Sequence, residues 1–211
     1  TIHANTKIIY GSAFANCTNL KTITIPNNVI SIGNSAFSGC TALTSVTIGK
    51  NLLSIGEKAF YNCSSLTNVI ISSSVTSIGY AAFQGCKAIQ SITIPFVGEI
   101  IDENTNSHFG YIFGAKSSSD QGNIQYVPSA LKIVIVTGST KLGSYAFSGC
   151  QNLTTITLPE SIAYIGNAAF KGCLELVTLT IGNNVNYVGP SAFDSCKKLK
   201  YTNYNNVTYL G

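Results

Sequence analysis

No arginine occurs anywhere in the chain: all twelve basic residues are lysines, set against eight acids for a net charge of +4. The bidentate guanidinium contacts that read guanine or grip phosphate are therefore absent, and the lysines are scattered, as at Lys21, Lys50, Lys87 and Lys132. Nucleic acid and an anionic membrane patch are excluded as partners on those grounds. Charged residues make up 9% of the sequence and apolar ones 45%, so the surface has to be neutral and polar, unlike that of a disordered chain. No run of about 18 apolar residues occurs, and no transmembrane segment is expected. Histidine is scarce as well: only His3 and His108 could serve a nucleophile as base, and no G-x-S-x-G elbow is present. A catalytic constellation is not expected, and neither is a cofactor.

What the chain does contain is repetition. Phe14, Phe37, Phe60 and Phe83 stand 23 residues apart, and Phe147, Phe170 and Phe193 resume the spacing. A period in the twenties marks a solenoid whose units bury their apolar sides by stacking on one another. Alignment gives L-x-x-I-x-I-P-x-x-V-x-x-I-G-x-x-A-F-x-x-C-x-x. In "LKTITIP", Ile23 and Ile25 alternate with threonines, as in a strand with one buried face, and Pro26 ends it. The glycines after the second apolar pair, such as Gly33, Gly56 and Gly79, are expected where the chain turns with positive φ or packs closely. "AFxxC" is expected to be a short helical turn with ring and thiol inward.

From Phe83 to Phe147 the distance is 64 residues, two periods plus 18. An eighth repeat is expected there, anchored by Phe113, with insertions at 96–110 and 115–129 on either side. In a solenoid, insertions are excursions on one face where binding concentrates. Asp102 and His108 lie in the first, and "DENTNSH" offers clustered oxygens at Asp102, Glu103, Asn104 and Asn106. Its spacing misses a calcium loop, and a solvated polar loop is the preferred reading.

All seven cysteines, Cys17, Cys40, Cys63, Cys86, Cys150, Cys173 and Cys196, stand three residues after an anchor phenylalanine. Parallel coils about 4.8 Å apart keep β-carbons beyond the roughly 3.8 Å a disulfide prefers. A ladder of free buried thiols is expected, and a straight ladder does not converge on a metal. Unpaired thiols in an exported protein would suit a reducing or anaerobic niche.

"LKTITIP" and "LTSVTIG" alternating with "IGxxAFxxC" resemble the BspA-like leucine-rich repeats found in surface proteins of bacteria and some protozoa. The resemblance implies an α/β repeat solenoid: an arc with a parallel sheet of short strands on its concave face and short helical or 3-10 turns and loops elsewhere. It covers nearly all of 1–211, read as a single domain of about eight repeats. The chain opens within a repeat and stops on "NVTYLG", so a piece of a longer array is expected. In such an arc the residues between the buried isoleucines face the concave side. One column is Thr22, Ser45, Asn68, Ser91, Ile133, Thr155, Thr178 and Tyr201; the next is Thr24, Thr47, Ile70, Thr93, Ile135, Thr157, Thr180 and Asn203. Ile133 and Ile135 interrupt the hydroxyl columns. Either the insertion folds over them, which is the favoured expectation, or they form a patch with Ile70, Tyr111 and Tyr126.

Members of this family are associated with attachment to extracellular-matrix or plasma proteins. The resemblance thus implies a non-enzymatic extracellular or cell-surface module that adheres to a protein or glycan through the concave face or the insertion. Candidate ligand-binding residues are Ile70, Asp102, His108, Tyr111, Tyr126, Ile133 and Ile135. A spacer that projects another domain is the alternative, and end-to-end self-association is a further expectation because the outer coils lack polar caps.

Overall fold

The computed structural model describes residues 1–104, 106–123 and 125–200 and the strand Tyr209–Leu210. Tyr201 and Asn203 lie outside the described residues. The strands are β1 (Ile8–Ile9), β2 (Thr22–Thr24), β3 (Ser31–Ile32), β4 (Ser45–Thr47), β5 (Ser54–Ile55), β6 (Asn68–Ile70), β7 (Ser77–Ile78), β8 (Ser91–Ile94), β9 (Ile133–Val136), β10 (Lys141–Leu142), β11 (Thr155–Thr157), β12 (Tyr164–Ile165), β13 (Thr178–Thr180), β14 (Tyr187–Val188) and β15 (Tyr209–Leu210).

They stack as a parallel β-solenoid of about eight coils. The longer strands form one seven-stranded sheet in the order β13-β11-β9-β8-β6-β4-β2. Its register aligns Asn68, Ser91, Ile133, Thr155 and Thr178 in one column, and Ile70, Thr93, Ile135 and Thr157 in the next. The period-two reading holds: Ile23, Val46, Val69, Ile92, Val134, Ile156 and Leu179 are buried while their neighbours look outward. β8 pairs directly with β9, so the sheet crosses the irregular segment without a gap.

The two-residue strands behave differently. They form two separate four-stranded sheets, β1-β3-β5-β7 and β10-β12-β14-β15, and the break falls at the insertion. There the chain reverses: Ser77 and Ile100 form an antiparallel bridge. Ile78 donates its N–H to the Glu99 carbonyl at 2.8 Å, and Ile101 donates to Thr76 at 3.3 Å. On the far side the Asp102 carboxylate accepts from the Thr140 N–H at 3.0 Å and its hydroxyl at 2.7 Å.

The expected α/β character is not found. Among the described residues the only helix is a five-residue 3-10 helix, Phe109–Phe113. The "AFxxC" segments are chained turns, and the reason lies in their hydrogen bonds. In the second coil Ser35, Phe37 and Gly39 donate to the next coil, to Glu57, Ala59 and Tyr61, at 2.7–2.8 Å. The intervening N–H groups of Ala36, Ser38 and Cys40 close turns three residues back. Alternate donors thus leave the coil, which a helix cannot permit. The positions two before and two after the phenylalanine are left-handed, as at Ser35 (φ 56°) and Gly39 (φ 76°). The earlier glycines serve close approach instead: a Cβ on Gly56 would sit 2.6 Å from the Asn34 nitrogen and the Gly33 carbonyl carbon.

Inside, the anchor rings form a column. Phe14, Phe37, Phe60 and Phe83 stack at 5.1–5.3 Å and Phe147, Phe170 and Phe193 at 5.5–5.6 Å, all within 7° of parallel. The irregular coil uses two rings where the sequence reading assigned Phe113 alone. Phe83 donates to the Ile112 carbonyl, so Phe113 continues the earlier coils, while Phe109 donates to Ala146 and lies 5.0 Å from Phe147. The insertions are not wholly surface excursions, since Phe96, Phe109, Ala115 and Val127 are buried in the core.

Candidate functional site

All seven cysteines are free, and Cys40, Cys63, Cys86, Cys150 and Cys173 are buried. Cys17 is exposed and Cys196 half-buried. The thiols have a task that spacing did not reveal. Five of the S–H groups point to the anchor carbonyl of the preceding coil: Cys40 to Phe14 at 3.1 Å, Cys63 to Phe37 at 3.2 Å, Cys86 to Phe60 at 3.0 Å, and Cys173 and Cys196 to Phe147 and Phe170 at 3.1 Å. Burial pushes the Cys40 thiol up to about 11, far from the range where a thiolate attacks. Among the described residues no group of three or more His, Cys, Asp or Glu side chains could hold a metal ion, and no helix is long and apolar enough to cross a membrane.

The expectation that the insertion covers the exposed isoleucines is overturned. Ile133 and Ile135 are 40% and 37% exposed on the seven-stranded face, and Ile70 is 67% exposed. The insertion packs on the other side, where it fills the break in the short-strand sheets. Ile70 and Ile135 flank Thr93 in adjoining strands, so the isoleucines share one face with a single threonine between them. Neighbouring apolar side chains on a pleated surface shed water together when covered.

The remaining candidates separate from that face. Tyr111 is buried beside Tyr80 in an edge-on contact at 5.4 Å, and Tyr126 is half-buried against the core, so neither belongs to the isoleucine patch. His108 is buried against the Tyr111 ring at 6.2 Å, with no hydrogen-bond partner at either ring nitrogen, and burial lowers its basicity. It is no accessible base. Asp102 is a brace between coils, and the Asn106 amide donates to Glu99 at 2.7 Å, so these two side chains are engaged inside the fold while Glu103 and Asn104 are exposed.

Two features escaped sequence reading. Gln121 is buried and bridges the irregular coil: its Oε1 accepts from the Gly110 N–H at 2.9 Å and its Nε2 donates to the Tyr145 carbonyl at 2.8 Å. An amide among serines and glycines carries no signal of that task. The second is an open trench of about 450 Å³ on the short-strand side, floored by Ser54, Gly56, Ser77 and Gly79 and closed by Glu99 and Tyr111.

Comparison with solved structures finds leucine-rich repeat proteins. One from T. pallidum is 24% identical, with 92% of this chain and 72% of that one covered and a TM-score of 0.49. A leucine-rich cell surface protein from Faecalibacterium prausnitzii is 27% identical, with 95% of this chain and 52% of that one covered and a TM-score of 0.46, so the chain spans about half of its length. For a leucine-rich repeat protein from Bacteroides ovatus the values are 23%, 94%, 70% and 0.47. No curated protein matches the chain. The family comparison is decisive: six copies of the BspA type leucine-rich repeat region match residues 1–111 and 124–211, and the chain belongs to that family.

Proposed function

We propose that this single repeat domain is a non-enzymatic binding module of a bacterial cell surface that attaches to host or microbial macromolecules. Family membership supports protein binding or a structural role. The observation that favours binding is the trio Ile70, Ile133 and Ile135, left in the open on a sheet whose other outward residues are hydroxyls and amides. An exposed β-branched row invites edge and face association, and a fold that keeps it uncovered is served by a ligand that covers it.

The test is a saturation-binding screen of the full chain against extracellular-matrix proteins, plasma proteins and glycans, beside the double variant Ile133→Ser, Ile135→Ser. Binding to a protein that falls at least about tenfold in the variant supports the reading. Replacing the insertions with linkers is the wrong control, because it removes core residues such as Phe96 and Phe109. Absence of binding to every panel member would leave the spacer role in its place.

A further inference from the structure

The trench on the short-strand side differs from its surroundings in a way the repeat does not require. In β3, β5 and β7 the outward position is serine, at Ser31, Ser54 and Ser77, whereas β10, β12 and β14 carry Lys141, Tyr164 and Tyr187 there. The fold therefore accepts a large side chain at this position, and Tyr164 and Tyr187 stack at 4.4 Å. Across β3, β5 and β7 small side chains leave the floor open, and the insertion builds a wall across its end by pairing Ile100 with Ser77. That wall presents Ile100, 44% exposed, and Glu99.

The polar groups there are arranged rather than loose. Asn106 holds one Glu99 oxygen at 2.7 Å, and the Tyr111 hydroxyl sits beside the same carboxylate, its pKa raised first by burial and then by that contact. Ser54 donates to Ser31 at 2.9 Å, so two of the three serine hydroxyls are oriented along the floor. The other carboxylate in the lining, Glu57, is paired with Lys58 at 3.1 Å. With Glu57 paired, the lining carries one uncompensated negative charge, at Glu99, and no lysine, so its charge selects neither a strongly basic peptide nor an acidic one. A volume in this range accommodates a small ligand or one stretch of a polymer. Serine hydroxyls that donate and accept, a carboxylate that accepts, and an apolar edge at Ile100 match the alternating hydroxyl and C–H surface of a sugar.

We propose that this trench is a second binding site, for a neutral oligosaccharide, with Glu99 as the principal acceptor of its hydroxyl protons. This rests on the reading of the chain as a binding module but uses a different face from the isoleucine patch. The experiment is binding of the full chain to an array of immobilised neutral oligosaccharides, compared with Ser54→Tyr, Glu99→Gln and the Ile133→Ser, Ile135→Ser double variant. Ser54→Tyr introduces the residue that Tyr164 and Tyr187 already show to be tolerated, and its melting temperature checks folding.

The expected result is saturable binding to at least one neutral oligosaccharide, weakened about tenfold or more by Ser54→Tyr and by Glu99→Gln and unchanged by the isoleucine double variant. Sugar binding that survives Ser54→Tyr, or the absence of sugar binding while a protein ligand is still bound through the isoleucines, overturns this site and leaves the module reading intact. Absence of both kinds of binding overturns the two together.

Discussion

A single cysteine in this chain acts as part of the backbone. In a stack of parallel coils the carbonyl of each anchor phenylalanine already accepts a turn bond from the cysteine three residues on, as Phe37 does from Cys40 at 3.2 Å. The thiol of the following coil supplies a second donor to the same oxygen, from Cys63 at 3.2 Å. Replacing Cys63 by Val keeps volume but removes that donor, and a loss of roughly 0.5–1.5 kcal/mol is expected in denaturant unfolding. Thiol titration of the native chain should find Cys17 at once, with the five buried thiols reacting only on unfolding. The histidine at 108 gives a different kind of test. Burial lowers its pKa in the folded state, so the unfolded chain takes up the proton first. Stability should be independent of this group above the ordinary histidine value of about 6.5 and should fall as pH drops below it. His108→Phe should flatten that decline in melting temperature between about pH 6.5 and 5.

At the scale of the element, most of the structure was legible because the repeat multiplies every signal. Alternation in "LKTITIP" located the strands, the 23-residue step located the ring column, and both are present. The helical turn was misjudged because "AFxxC" puts two apolar residues three apart, a spacing that a helix and a chain of tight turns share. What separates them is the left-handed backbone at Ser35, Lys58 and Ala81, residue types with no φ preference a reader would notice. The isoleucine patch was visible as an anomaly, yet its exposure was not, since nothing local tells which side an insertion will take. Two substitutions test the coil itself. Phe60→Ala opens a cavity in the middle of the ring column and should cost roughly 3–5 kcal/mol, whereas Lys58→Ala at the surface should cost little. Gly56→Ala sets a methyl against the backbone of the preceding coil and should destabilise by more than glycine entropy could return, read as a lower melting temperature.

Across the whole molecule, one sheet is continuous and the other is divided. Two blocks of coils share the seven-stranded sheet, but on the opposite side their short-strand sheets are joined only through the insertion, with the Asp102 carboxylate holding Thr140. Hydrogen bonds to a charged acceptor are worth about 1.5–3 kcal/mol, so Asp102→Ala should lower stability by a figure in that range. The loss should be local in hydrogen exchange, with the amides of Thr140 and Lys141 released while those of β11 and β13 stay protected.

The divided side has a consequence for how such a chain varies. Every regular coil contacts only the coils beside it, so whole coils can be gained or lost at a distance from the seam without touching Glu99, Asp102 or Gln121. Reach and recognition are thus independent quantities: the number of coils sets how far the molecule extends, and a single irregular coil sets what the trench beside it can hold.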